Sequence, residues 1–295
     1  MLLTKGDKIF GAISHTVLIL ISIICVIPFL LLISSSFTDE NALLNNGYAL
    51  LPSKFSLAAY QYLGDSFSTI ASAYGITVLV TLIGTTASIV ITAMLAYPLS
   101  RKDLPKRKFF MFFVVFTMLF NGGLVPSYLM WTQVFQMKDS LAAYILPGLL
   151  TNAFFIILMK TYFENSIPTS LIEAAQIDGA NEAIILFKIV MPLALPIVAT
   201  LGLFSGLNYW NDWMNGLIYI SDSHKFSIQV LLNQMLQDIQ TLSSGVVKQS
   251  VSTSAMPASG VRMAIAVIAA LPIMVIYPFF QKYFQKGIMV GAVKG

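Results

Sequence analysis

Residues 168–196 read PTSLIEAAQIDGANEAIILFKIVMPLALP, a moderately polar segment set between long uncharged apolar runs. Pro168 stands ahead of Ser170 and Glu173, which have the S-x-x-E relation of a capping box, so the spacing predicts that a helix begins here. Ala174 and Ala175 give that helix a low-profile face that another protein can approach closely. Asp178-Gly179 predicts a turn or helix stop, because glycine accepts backbone angles that other residues resist. A short helix, a turn and a second short helix, exposed between two membrane segments, form the pattern of a docking element.

The surrounding composition predicts an all-α membrane protein. The chain is 57% hydrophobic and 10% charged, against roughly 25% charge in a soluble domain. Crossing a hydrocarbon core of about 30 Å takes roughly 20 apolar residues as helix. Runs near 11–33, 74–98, 109–130, 141–159, 189–209 and 263–281 meet that length, and none contains Lys, Arg, Asp or Glu. Lipid offers the backbone no hydrogen-bond partners, so helical spans are expected, six in number. Most of the 17 basic residues fall in the N-terminus, the 99–108 loop, the 160–188 loop and the C-terminal tail. Lys5, Lys8, Arg101, Lys102, Lys106, Arg107, Lys108, Lys160, Lys188, Lys282, Lys286 and Lys294 are among them. The positive-inside rule then places both termini and the 160–188 loop in the cytoplasm. The basic balance reports topology and anionic lipid, with no sign of nucleic acid. The first apolar run is too long for a signal-peptide core and is expected to be a retained span. A single transmembrane domain over 1–295 is expected, with a core at about 74–285 and a long outer loop at 210–260.

The segment resembles the cytoplasmic loop of the permease subunits of ATP-binding-cassette importers. The resemblance rests on Glu173-Ala174-Ala175, Asp178-Gly179-Ala180, and Phe187, Ile189 and Pro192 at the spacing of that loop. Met191 stands where leucine is usual. The spelling is similar to the carbohydrate-uptake, maltose-type branch. Ala270-Leu271-Pro272-Ile273 and the ending that closes on Val293, Lys294 and Gly295 are similar to its complex-oligosaccharide members.

The resemblance implies a six-helix, type I importer core with both termini inside, in a bacterial cell membrane. It implies a second homologous permease, two ATP-binding subunits, an external solute-binding protein and an oligosaccharide substrate. Glu173, Ala174, Ala175, Asp178, Gly179, Ala180 and Pro192 inherit the coupling role toward the ATPase. Val293, Lys294 and Gly295 inherit a tail contact to it, and the 222–258 loop a contact to the binding protein. No cofactor belongs to this chain, since ATP and Mg sit on the partner ATPases and the sequence holds no G-x-x-x-x-G-K-[ST] loop. His15 and His224 do not form a metal-ligand cluster.

Two polar faces are candidates for the solute pathway. Thr77, Thr81, Thr85, Ser88 and Thr92 fall within about 80° of one helix face, with Gly84 beside them. Such a stripe serves either helix packing or a pathway wall. Asn208, Tyr209, Trp210 and Asn211 end the fifth apolar run. They serve either as an interfacial belt or as sugar contacts, through aromatic faces and amides. The competing class is a secondary or channel-like transporter of small polar solutes. Against it stands the lack of any Lys, Arg, Asp or Glu in the six runs, where such a transporter carries an ionisable residue near the midplane. An intramembrane protease would need a nucleophile and a base facing each other, and no such pair is evident.

Overall fold

The computed structural model describes residues 5–243 and 258–292. Regular structure among them is helical, and the β content is an isolated bridge between Thr38 and Phe55. The helices are α1 (Lys5–Ser36), α2 (Glu40–Asn46), α3 (Ala58–Asp65), α4 (Phe67–Ser100), α5 (Arg107–Leu119) and α6 (Leu124–Leu129). After them come α7 (Ala142–Ile145), α8 (Ala153–Ser166), α9 (Thr169–Ile177), α10 (Glu182–Ile184), α11 (Met191–Leu193) and α12 (Leu195–Trp210). The last three are α13 (Met214–Tyr219), α14 (Ile228–Ser243) and α15 (Ala258–Ala292). The described residues within 1–68 and 234–272 form one compact unit, and those within 69–233 and 273–295 form another.

Among the described residues, three helical stretches are long and apolar enough to cross a membrane. They are Ile9–Ser36, Phe67–Ser100 and Ala258–Ile276, with mean hydropathies of 3.1, 2.2 and 2.1. The other apolar runs are interrupted rather than straight. The 109–130 run is cut after Leu119, and α5 meets the following helix at 110°. Gly123 makes that corner at φ 86°, with the Asn121 side chain accepting its N–H at 2.8 Å. The 189–209 run bends by 86° between α11 and α12, at Ala194. Pro192 explains the approach to this bend: it lacks an N–H and its ring crowds the carbonyl four residues back. The preceding residues Ile185–Val190 widen into a π-helix, a common response to a disturbed hydrogen-bond ladder.

The 141–159 run is likewise not one helix. It holds α7 and then α8, parted by Pro147 and by Gly148 at φ 72°. The Asn152 side chain caps α8 by accepting from Phe154 N and Phe155 N, at 2.9 and 3.3 Å. Apolar length alone does not register a proline-glycine pair, which is why a continuous span is expected there and a broken one is found.

In the first unit, the Glu40 carboxylate sits at the start of α15. It accepts from Ser259 N at 2.9 and 3.1 Å and from Gly260 N at 3.0 Å. The first N–H groups of a helix have no intrahelical acceptor, and a carboxylate there also meets the positive end of the helix dipole. Glu40→Ala leaves those donors without this acceptor, at a cost of about 1–2 kcal/mol by analogy with lost caps. A lower thermal midpoint of the purified protein is the expected result. Glu40→Gln, which keeps an acceptor oxygen, falls between the two.

The second unit has a core in which α4, α8, α9 and α12 meet. Ala93, Ala96 and Tyr97 of α4 pack with Met159 and Phe163 of α8, Ile172 and Ala175 of α9, and Ile197 and Leu201 of α12. Beyond it, Asp139 accepts from Ser221 N and from Asp222 N at 3.0 Å. Those two N–H groups hold its carboxyl below the usual carboxylate range. Tyr144 donates to Lys225 O and accepts from Ser227 N, each at 3.0 Å. The loops around α7 and α13 are thereby knitted into one cap.

Candidate functional site

Helix α9 and the turn after it form a self-contained projection. Pro168 occupies the position before the first helical residue and its side chain makes no cap hydrogen bond. Thr169 therefore opens the helix and Ser170 lies inside it, so the expected Ser170–Glu173 capping box does not form. The C-terminal end matches expectation closely. Asp178 closes the helix, Gly179 adopts φ 80°, Gly179 N donates to Gln176 O at 3.0 Å, and Ala180 N donates to Ala175 O at 2.9 Å. That pair of bonds is a Schellman motif, which satisfies carbonyls that a helix end otherwise leaves open.

The two faces of α9 differ. Ile172 and Ala175 are buried in the core shared with α4 and α8. Glu173, Ala174, Gln176, Ile177 and Asp178 are exposed. Ala175 is thus spent on internal packing, and the small outward face reduces to Ala174. The Glu173 carboxylate forms no ion pair or hydrogen bond among the described residues. Asn181 starts the next helix by accepting from Ile184 N at 2.9 Å.

A charged cluster, missed by the sequence reading, lies under this loop. The Glu182 carboxylate accepts from Tyr97 Oη at 2.6 Å and from Gln176 Nε2 at 3.0 Å. Arg101 donates to Tyr97 Oη at 3.3 Å and holds Asp103 with two bonds of 2.8 and 2.7 Å. The paired guanidinium keeps the Asp103 carboxyl below its usual range. A cleft of about 490 Å³ opens beside them, lined also by Met94, Leu104, Leu186 and Phe187. Nearby, Arg107 donates to Leu99 O at 2.7 Å and pairs with Glu164. Tyr97 and Arg101 do show a helical i, i+4 spacing at the end of a span. Nothing local ties that spacing to Glu182, which is 85 residues from Tyr97.

The polar stripe of α4 faces inward. Thr77 is fully used: it donates to Ala73 O at 2.9 Å and accepts from Ile228 N at 2.8 Å. Among the described residues, the buried hydroxyls of Thr81, Thr85, Ser88 and Thr92 have no hydrogen-bond partner. Thr81 and Thr85 border a cleft of about 240 Å³, shared with Gly202, Gly206, Leu203 and Trp210. Gly84 lies against the Tyr209 ring so closely that a Cβ there would sit 2.5 Å from Tyr209 Cζ.

The second polar face splits in two. Tyr209 and Trp210 are buried, with Tyr209 Oη donating to Ile145 O at 3.0 Å and Trp210 near Tyr74 at 6.2 Å. Asn208 and Asn211 are exposed on the opposite side. Asp212, just past α12, is largely enclosed, and burial pushes its carboxyl up. Pro192 lies at the bend that leads into α12, away from the tip of α9. Val293, Lys294 and Gly295 lie outside the described residues.

Residues 76–290 match the model of the family described as binding-protein-dependent transport system inner membrane component. The chain is 42% identical to the polygalacturonan/rhamnogalacturonan transport system permease protein YtcP of Bacillus subtilis (strain 168), over 98% of this chain and 99% of that one. It is 35% identical to Protein LplC of the same organism, over 99% and 97%. Among solved structures it is similar to a bacterial ABC transporter involved in the import of the acidic polysaccharide alginate. That likeness has a TM-score of 0.80 and 30% identity, covering 96% of this chain and 99% of the matched one. The chain belongs to the family of inner membrane components of binding-protein-dependent transport systems.

Proposed function

We propose that this chain is one permease subunit of an ATP-driven importer of oligosaccharides, and that α9 is its coupling element. The observation that carries the proposal is the two-sided build of α9. Its inner face is fused to the membrane helices, while Glu173 and Ala174 point outward from a helix stopped by Gly179. A second permease, two ATPase subunits and an external binding protein complete the assembly. The chain forms a single domain over 1–295, crosses the membrane six times and keeps both termini inside. In that count α8 and the two bent pairs each contribute a crossing.

In this scheme ATP-driven closure displaces α9, and the helices packed on it follow as rigid bodies, moving access from one side to the other. Thr81, Thr85, Asn208 and Asn211 are the pathway candidates supported by position. The first two border a cleft and have hydroxyls with no partner among the described residues, and an exposed amide on a membrane helix needs water, solute or a partner rather than lipid. Thr77, Tyr209 and Trp210 act as the frame behind them. Pro192 acts by shaping the bend into α12. The tail 293–295 touches the ATPase and the 222–258 loop the binding protein. The names of two relatives, one for polygalacturonan and rhamnogalacturonan and one for alginate, favour uronic-acid-bearing oligosaccharides.

Uptake and topology test the proposal together. Cells deleted for this chain are expected to lose ATP-dependent uptake of labelled oligogalacturonate and to regain it on complementation, with malto-oligosaccharide uptake unaffected. In a Cys25→Ser background, Ser223→Cys should react with an impermeant thiol reagent outside intact cells, and Lys102→Cys should not. Unchanged oligogalacturonate uptake in the deletion strain would remove the substrate assignment, and the reverse labelling pattern would overturn the orientation.

A further inference from the structure

We propose that Tyr97 and Glu182 pin the coupling helix α9 to the membrane helix α4, so that α4 moves when α9 is displaced. This rests on the coupling role proposed above and adds the residues that transmit it. A single carboxylate holds both elements. One oxygen of Glu182 accepts from Tyr97 on α4 at 2.6 Å, and the other accepts from Gln176 on α9 at 3.0 Å. The Tyr97 ring is 5% exposed and packs among Ala93, Ala96, Ile185 and Leu186, so its hydroxyl has a fixed position relative to α4. Arg101, just past the end of α4, donates to the same hydroxyl and lies 3.7 Å from the same carboxylate oxygen.

The apolar core beneath α9 provides grip without direction, since packed side chains can slide past one another at small cost. Hydrogen bonds to a buried hydroxyl fix register, because their strength falls off steeply with distance and angle. The Glu182 side chain is 60% exposed. Its ion pair with Arg101 is therefore screened and contributes little to stability. Positioning is what the cluster supplies. Thr85 and Thr81 lie 12 and 16 residues before Tyr97 on the same helix, roughly 18 and 24 Å away at 1.5 Å per residue. A shift applied at the pin thus reaches the cleft bordered by those two residues through one continuous helix.

The test uses the assembled importer in proteoliposomes, with Cys25→Ser and a single reporter, Thr86→Cys, on the cleft side of α4. The reporter's labelling rate by a maleimide is compared with and without ATP and vanadate, which reads α4 movement without requiring a solute. Tyr97→Phe keeps the buried ring and removes only the hydroxyl, Glu182→Ala removes an exposed side chain, and Glu182→Gln restores one acceptor. In the parent, ATP and vanadate should change the labelling rate. Tyr97→Phe and Glu182→Ala should assemble and hydrolyse ATP while that change shrinks roughly threefold or more, within the range that side chains in a coupling network command. Glu182→Gln should recover part of it. An ATP-dependent change equal to the parent's in both variants overturns the pin. A parallel fall in assembly, hydrolysis and labelling change, with no recovery in Glu182→Gln, also overturns it, because that is the signature of a merely structural role. If Tyr97→Phe fails to assemble, Glu182→Ala decides alone. A parent that takes up oligogalacturonate with ATP but shows no labelling change sinks the pin and leaves the importer reading standing. A parent without ATP-dependent uptake sinks both.

Discussion

Gly179→Val is expected to leave the permease inserted in the membrane and to abolish coupled uptake. The backbone at Gly179 has φ 80°, a region in which a β-branched residue is strained by about 1–3 kcal/mol. A Cβ placed there meets no atom within 4 Å. The effect is therefore conformational rather than steric: the Schellman stop fails, and the exit from α9 must find another path. Gly179→Asn is the control, since asparagine visits the left-handed region more readily, and it should retain more uptake than the valine variant.

Glu173→Lys attacks the same element from outside. The Glu173 side chain is exposed and unpaired among the described residues, so its reversal should spare folding. If it meets a cationic cleft on the ATPase, like charges then face each other across the interface, which costs several kcal/mol. A loss of about 1.4 kcal/mol in docking already weakens association tenfold. ATPase copurifying with the permease is thus expected to fall roughly tenfold or more, with uptake falling alongside. Wild-type copurification and uptake in both variants would show that α9 is not the coupling element.

What the sequence revealed and what it concealed divide along physical lines. The helix at 169–177 and its glycine stop were legible because both are local: a proline entry, a short amphipathic stretch and one residue suited to positive φ. The start was misplaced because the S-x-x-E pattern also occurs inside a helix that Pro168 has already opened. Hydropathy marked the apolar runs but treated each one as straight. Asn121-Gly122-Gly123, Pro147-Gly148 and Pro192 were visible as turn or kink residues, yet a window of apolar length averages them away. The period of α4 grouped Thr77 to Thr92 on one face; Thr77 is bonded on both sides, while the other four hydroxyls are buried with no partner among the described residues. The cluster of Tyr97, Arg101, Gln176 and Glu182 was not legible. Its members are separated by up to 85 residues, and only the tertiary fold brings them within hydrogen-bond reach.

Gly84→Leu is expected to prevent formation of a stable permease, because α4 approaches the Tyr209 ring of α12 very closely at that residue. A Cβ on Gly84 would lie 2.5 to 2.8 Å from three carbons of the Tyr209 ring. Tyr209 has little freedom to move aside: it is 3% exposed and its hydroxyl donates to Ile145 O at 3.0 Å. Inserting side-chain atoms into so closely packed a crossing costs about 1–3 kcal/mol or more. A double-mutant cycle isolates the contact. Gly84→Ala alone should lower the thermal midpoint of the purified protein, and Tyr209→Ala alone should lower it further, since losing the aromatic packing costs about 3–5 kcal/mol of stability. In the Tyr209→Ala background the added Gly84→Ala should cost almost nothing, leaving a coupling energy of about 1–3 kcal/mol between the two sites. Additive losses would mean that Gly84 and Tyr209 do not press on each other. Tyr209 would then be free to face the solute pathway, as the sequence allowed, rather than brace the helix behind it.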